Sequence, residues 1–319
     1  MLSLSSRTCC GPITERRILP PRCRNSLDGS GALARDLPDA RTFRWADLGQ
    51  RIASAAILAP LALSALWVGA AFWAGVIGVV AIGLACEWVQ LCGVRVSSVP
   101  GLAVPGIVIL AWAAGVEQYD REALVLLLAG FAALWILTRG DRVRSRQDLG
   151  RFRHLLAFGI PYIGASVIAV IWLRSDELAG RPNVLFLVLT VWASDVGAYC
   201  TGRLIGGPRL APRISPAKTW AGTTGGLGAA IGIGIVVAVL TSEERSLWRI
   251  ALVAALLGIF TQAGDLLESV IKRRLGVKDS SQLIPGHGGL LDRLDGMLIA
   301  APAAAILALA LGRGVVLWK

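Results

Sequence analysis

Apolar stretches long enough to cross a bilayer recur along this chain and limit the folds open to it. They run for about 18 to 22 residues, and a helix of roughly 20 residues spans the hydrocarbon core. Of 319 residues, 55% are hydrophobic and 17% are charged, which is not a soluble globular composition. No stretch alternates apolar and polar residues for long enough to suggest a membrane β-barrel. The sequence predicts an all-α polytopic membrane bundle of about nine transmembrane helices, at residues 50–68, 72–92, 99–116, 122–138, 155–173, 183–201, 219–240, 250–271 and 294–312.

Basic residues concentrate in three of the loops between these spans, and this bias predicts the orientation. The loops at 139–153, 202–218 and 272–293 carry six, four and five arginines and lysines, whereas the loops between them carry one or two. An N-terminus on the inside then places all three basic loops in the cytoplasm. The net charge of +11 requires no nucleic acid partner, because anionic lipid headgroups and triphosphates suit it.

Residues 1–46 differ from the rest, being rich in Arg, Pro, Ser and Gly without an apolar run that could span. We expect a basic, disordered N-terminal extension, followed by a membrane domain over 47–319. The extension is basic enough to resemble a transit peptide, but its acidic residues weaken that interpretation. The six cysteines form no CxxC pair and there are two histidines, so a structural zinc site is not expected.

A dense polar run between the last two predicted spans is the strongest functional signal. Lys272, Arg273, Arg274 and Lys278 precede a glycine-rich turn, and acidic residues follow it. Such charges are costly beside lipid unless they bind something charged. Clustered cations suit phosphates, and carboxylates suit a divalent metal. The run predicts a phosphate-and-metal site at a membrane surface.

Carboxylates on both sides of the turn follow helical spacing. Asp265, Glu268, Ser269 and Lys272 recur at i, i+3, i+4 and i+7 and therefore form one polar stripe on a helix. Asp292 and Asp295 share the first turn of the last span, where negative charge also complements the helix dipole. If Asp265 and Asp292 converge, they create an oxygen-rich site of the kind that Mg²⁺ prefers. Helix capping, with an ion pair to Arg293, is the alternative for Asp292.

Two further segments carry candidate phosphate ligands. In the turn Pro285–Gly289, glycines allow backbone amides to face an anion, and His287 can donate a hydrogen bond to a phosphate. Upstream, Asp195 lies near the end of one span, while Ser215 and Lys218 precede the next, whose N-terminal amides also attract anions. A snorkelling lysine is the alternative for Lys218.

The stretch Ser269–Asp295 resembles the signature of the phosphatidate cytidylyltransferases, the CDP-diacylglycerol synthases, at essentially every specified position. The segment Ile214-Ser215-Pro-Ala-Lys218-Thr-Trp resembles their upstream motif, although Ala217 and Ala221 stand where lysine and glutamate are common. The resemblance covers about residue 47 to the C-terminus. It implies transfer of a cytidylyl group from CTP to phosphatidate, releasing pyrophosphate, with Asp265 and Asp292 as ligands of Mg²⁺. Whether a monovalent cation such as K⁺ binds beside the magnesium is left open.

This reaction needs no serine or cysteine nucleophile, because the phosphate of the lipid is already ionised. Positioning and electrostatic neutralisation are the main requirements. We therefore expect catalytic roles for Asp265, Asp292, Lys272, Arg273 and His287. Substrate-binding roles are expected for Asp195, Ser215, Lys218, Ser269, Lys278, Asp279, Gly288, Gly289, Arg293 and Asp295. The expected setting is the cytoplasmic membrane of a bacterium, with the active site facing the cytoplasm and a homodimer left open.

Three other functions match parts of the sequence. Asp292-Arg-Leu-Asp295-Gly296 matches the opening of the CDP-alcohol phosphotransferase motif, but the Ala-Arg and the further aspartates of that motif are missing. A CTP-dependent polyprenol kinase is a closer chemical relative. A transporter would use intramembrane carboxylates, yet the polar residues gather at one face and no internal repeat is evident. Glu87, near the end of the second span, fits a functional or a helix-packing role equally well.

Overall fold

The computed structural model describes residues 60–139, 149–242, 246–278, 280–281 and 289–319, and these are almost entirely helical. Residues 60–68 are helical and are here called α1. The other helices are α2 (Ala70–Leu91), α3 (Val99–Val116), α4 (Asp120–Arg139), α5 (Leu149–Ser175), α6 (Gly180–Leu204), α7 (Trp220–Thr241), α8 (Leu247–Leu275) and α9 (Leu291–Leu311).

Eight of these helices, α2 to α9, are long and apolar enough to cross a membrane, which confirms the predicted all-α polytopic fold. They correspond to the second to ninth predicted spans. The first predicted span, 50–68, lies mostly outside the described residues. The main differences are at the ends: α5 begins at Leu149 rather than 155, and α8 continues to Leu275 rather than 271. The extra turn of α8 carries Lys272 and Arg273 on helical backbone.

A short hairpin interrupts the helical pattern within the loop expected at 202–218. Strands β1 (Arg209–Ala211) and β2 (Ser215–Thr219) pair in antiparallel register, with Arg209 opposite Thr219 and Ala211 opposite Ser215. Strands of three and five residues are too short for an alternating pattern of apolar and polar residues to stand out in the sequence. The hairpin fixes the backbone of Lys218 directly before α7. The side chain of Thr219 then caps α7 by accepting a hydrogen bond from Gly222 N at 3.1 Å.

One end of the bundle, here called the site end, joins the ends of α2 and α8 to the beginnings of α5 and α9. Trp88 of α2 donates from Nε1 to the carbonyl of Leu155 in α5 at 3.0 Å. At the opposite end, Asp176, between α5 and α6, accepts a hydrogen bond from Gly314 N, beyond α9, at 2.5 Å. The described residues of the polar run, at the end of α8 and the beginning of α9, therefore lie at the site end.

Helices α6 and α7 approach closely because α7 presents glycines to α6. A methyl group at Gly226 would lie 2.7 Å from the carbonyl oxygen of Ser194, and one at Gly222 would lie 2.9 Å from that of Ala198. Side chains larger than hydrogen would therefore push the helices apart. This close contact holds Asp195 of α6 near the start of α7.

Candidate functional site

Two lysine–carboxylate pairs form the centre of the site end. Lys218 Nζ lies 2.6 Å from Asp265 Oδ2, which links the hairpin to α8. Lys272 Nζ lies 2.6 Å from Asp292 Oδ1, which links α8 to α9. The predicted polar stripe of α8 thus contacts β2 through one residue and α9 through another.

Lys272 also contacts a carboxylate that is fully withdrawn from solvent. Its Nζ lies 3.4 Å from Glu268 Oε1, one turn earlier on α8, and the Glu268 side chain is 0% exposed. Neither carboxylate oxygen of Glu268 accepts a hydrogen bond of good geometry from the described residues. Among the described residues, Lys272 is therefore the cation that compensates the buried charge of Glu268.

Asp292 holds the backbone in front of α9. Its Oδ2 accepts hydrogen bonds from Gly289 N at 2.9 Å and from Ser280 N at 3.1 Å, and Ser280 Oγ lies 2.9 Å away. The ion pair of Asp292 is with Lys272 and not with Arg293, the partner in the alternative interpretation, which is exposed on the same turn. Asp292 thus combines the backbone-binding role of that alternative with a charged partner inside the site.

Further acidic groups lie around Asp265. The carboxyl groups of Asp195 on α6 and Asp295 on α9 lie close enough to Asp265 for its charge to act on them, and Glu268 is near Asp295. Asp295 Oδ1 accepts a hydrogen bond from Gly296 N at 2.7 Å. Four carboxylates thus crowd one region, into which Lys218 and Lys272 each bring one positive charge.

The described part of the chain contains no group of three or more His, Cys, Asp and Glu side chains set at metal-binding geometry. Asp265 and Asp292 instead each face their own lysine. Their convergence on one ion stays a prediction. The donor set itself fits Mg²⁺, because carboxylate oxygens are ligands that this ion prefers.

The remaining predicted site residues have different surroundings. Arg273 is exposed and its guanidinium donates to the carbonyls of Ile214, at 3.2 Å, and Val277, at 3.4 Å, so it ties the end of α8 to the hairpin. Ser215 begins β2, Ser269 is half-buried on α8, and Lys278 is exposed beyond α8. Gly289 is buried and gives its amide to Asp292 rather than to an open anion site. The predicted residues Asp279, His287 and Gly288 lie outside the described residues.

Three residues of the site were not predicted from the sequence or were left without an assigned role. Ser280 contacts Asp292 as above, and Glu87 reaches the same segment from α2. Tyr162 of α5 buries its hydroxyl near Glu268, Asp295 and Asp265. Ser280 belongs to the polar run and could have been found there. A single tyrosine within an apolar span gives no signal of its own.

The fold and the site define a polytopic membrane protein with a charged, phosphate-suited site at one end of its helices. The chain belongs to the Cytidylyltransferase family, whose model matches residues 49–311.

Among similar proteins is the phosphatidate cytidylyltransferase of Brucella suis biovar 1, which is 39% identical over 266 residues, covering 80% of this chain and 91% of that protein. The phosphatidate cytidylyltransferase of Staphylococcus saprophyticus is 40% identical over 224 residues, covering 69% of this chain and 84% of that protein. That of Staphylococcus haemolyticus is 31% identical over 233 residues. These matches confirm the family resemblance drawn from the motifs.

Proposed function

We propose that this protein is a phosphatidate cytidylyltransferase, which transfers the cytidylyl group of CTP to phosphatidate and yields CDP-diacylglycerol and pyrophosphate for phospholipid synthesis. Family membership and the names of the similar proteins support this activity. The observation that carries it in the structure is the adjacent pair of lysine–carboxylate contacts at one end of a membrane bundle. That position lets a lipid headgroup meet a soluble nucleotide while its acyl chains stay among the helices.

In this reaction an ionised phosphate oxygen of the lipid attacks the α-phosphorus of CTP, and the bond from that phosphorus to the departing pyrophosphate breaks. Repulsion between two anions and charge on the leaving group are the obstacles, so placed cations supply most of the help. Lys218 and Lys272 are already held at this end by their carboxylate partners. On substrate entry each ammonium group can exchange a carboxylate oxygen for a phosphate oxygen.

Such an exchange frees carboxylate oxygens of Asp265 and Asp292, and these are the residues that we propose hold Mg²⁺. Asp265 is about one-third exposed and Asp292 is less so, with side-chain exposures of 37% and 15%. Asp292 Oδ1 has Lys272 as its partner, while Oδ2 is occupied by Ser280 and Gly289, so Oδ1 is the oxygen suited to a cation. Mg²⁺, when bound, supplies neutralisation of the triphosphate and of the leaving group.

We further propose that the protein lies in the inner membrane of a bacterium and that its site faces the cytoplasm. Two of the three basic loops of the sequence have their described residues at the site end, in the hairpin and around the end of α8, and basic loops favour the cytoplasmic side. This orientation also gives the site access to CTP.

The decisive test uses purified protein in detergent with phosphatidate, MgCl₂ and CTP labelled in its cytidine. We expect label in a lipid-soluble product together with stoichiometric pyrophosphate. Release of CDP with a phosphorylated lipid would instead identify a CTP-dependent lipid kinase. Flux of solute across proteoliposomes without CTP consumption would favour a transporter.

A further inference from the structure

Glu87 forms a contact between α2 and the segment that joins α8 to α9. Its side chain is nearly inaccessible, with an exposure of 3%. Oε1 accepts a hydrogen bond from Ser280 Oγ at 2.9 Å and another from Ser281 Oγ, and Oε2 accepts one from Leu291 N at 2.7 Å. No lysine or arginine among the described residues forms an ion pair with it. Among the described residues, the donors to this carboxylate are therefore neutral, and they lie in the α8–α9 connection and at the first residue of α9.

The same connection holds Asp292. Ser280 Oγ lies 2.9 Å from Glu87 Oε1 and 2.9 Å from Asp292 Oδ2, and Ser280 N also donates to Asp292. A hydroxyl has one proton, so Ser280 Oγ donates to one of the two carboxylates at a time. Ser280 is therefore a shared neighbour of Glu87 and of Asp292, the partner of Lys272.

Gly289 shows how tightly this contact is built. A methyl group on its α-carbon would overlap Glu87 Oε1 and Ser280 Oγ. Its amide meanwhile donates to Asp292 Oδ2. The backbone at position 289 can reach Asp292 only because glycine leaves room for Glu87.

Glu87 itself has a rigid support. The next residue, Trp88, is fully buried, donates to the carbonyl of Leu155 on α5, and lies with its ring centroid 5.4 Å from that of Tyr162. Helix α2 is thereby fixed against α5 where Glu87 projects. A carboxylate on a fixed helix can act as a reference point for residues between helices, such as Ser280 and Ser281.

We propose that Glu87 is a positioning residue for the reaction. By binding Ser280, Ser281 and Leu291, Glu87 holds Asp292 in the position in which Lys272 can bind the substrate phosphates and the Asp292 carboxylate can bind their cation. This inference rests on the proposed function. A purely structural role would lower the amount of folded protein without changing the chemistry of the molecules that fold.

The test compares Glu87→Gln with Asp176→Asn, a matched variant at the opposite end. Asp176 also accepts hydrogen bonds from three groups, Leu178 N, Ala179 N and Gly314 N, and joins a loop to the segment after α9. Both changes preserve side-chain size. For folded Glu87→Gln we expect kcat to fall about 10- to 100-fold, the range for loss of a group that orients a ligand. The Mg²⁺ concentration for half-maximal rate should rise, with the KM for CTP at saturating Mg²⁺ little changed. Asp176→Asn should keep the wild-type kcat and Mg²⁺ response.

Ser281→Ala provides a milder change if Glu87→Gln fails to fold. It removes one donor to Glu87 and should shift kcat and the Mg²⁺ response in the same direction by a smaller factor. Faster exchange of the Leu291 amide hydrogen in Glu87→Gln would support the proposal independently of activity. Wild-type kcat and Mg²⁺ response in folded Glu87→Gln, or in Ser281→Ala where the first does not fold, would overturn it. Lack of product from wild-type protein would instead refute the proposed function.

Discussion

Replacement of Lys272 by methionine tests how the buried charge at the site end is stabilised. The substitution keeps an unbranched side chain of similar length but removes the ammonium group that lies 3.4 Å from Glu268 and 2.6 Å from Asp292. Asp292 retains its donors from Ser280 and Gly289. Glu268, at 0% exposure, loses its only cationic partner among the described residues.

The expected loss of stability follows from these surroundings. Removing one partner of a buried ion pair costs about 3–5 kcal/mol, because the other charge stays buried without compensation. Lys272 retains some contact with solvent, since its side chain is 13% exposed, so the lower end of the range applies. At roughly 2 °C per kcal/mol for a chain of this size, the thermal midpoint should fall by about 6 °C.

The assay is thermal unfolding in detergent, followed by the fluorescence of the 11 tryptophans. Lys278→Met, at an exposed position beyond the same helix, is the control and should leave the midpoint unchanged. Adding Glu268→Gln to Lys272→Met should restore most of the loss, because the uncompensated charge is then gone. An unchanged midpoint in Lys272→Met would refute the reasoning and indicate that Glu268 is uncharged in the folded protein.

Three further predictions concern other parts of the molecule. Asp265→Asn and Asp292→Asn should each abolish Mg²⁺-dependent turnover in folded protein, and wild-type turnover in either would reject the metal assignment. Gly264→Ala should cost about 1–3 kcal/mol, since its methyl group would overlap the α9 backbone, whereas Gly228→Ala, with open space around it, should be close to neutral in the same melting assay. At Asp176, burial opposes ionisation, but backbone hydrogen bonds outweigh it and hold the pKa below the usual 3.8. The stabilisation is therefore present above pH 3.8 and lost as pH falls through the lower folded pKa, so the gap in melting midpoint between wild type and Asp176→Asn should close on acidification.

The sequence predicted the fold class well because membrane helices follow a local rule. Each span must satisfy its own backbone hydrogen bonds and present about 20 apolar residues to lipid, so length and composition suffice. The hairpin at 209–219 was not predicted, because two very short strands show no clear alternation of apolar and polar residues. The N-terminal boundary at residue 46, the K⁺ site and the homodimer stay predictions.

The candidate site was predicted as a set of residues, but its pairings were not. Spacing placed Asp265, Glu268 and Lys272 on one helical face and Asp292 on the first turn of the last span, and the position of Lys218 before a span made it a candidate phosphate ligand. Nothing in the spacing assigned Lys218 to Asp265 or Lys272 to Asp292, because those partners lie on different elements. Arg273, expected at phosphates, lies on the carbonyls of Ile214 and Val277 in the structure.

Glu87 shows most clearly what each level of description determined. The order of apolar and polar residues, a property of the chain alone, dictated a helical membrane bundle with its charges collected at one boundary, since burial of apolar length and exclusion of charge from lipid are local effects. Whether Glu87 merely packs or reaches the α8–α9 connection depended on which helices become neighbours. Tertiary packing decided it, by bringing Ser280 and Leu291 within hydrogen-bond distance of a carboxylate about 200 residues earlier in the chain.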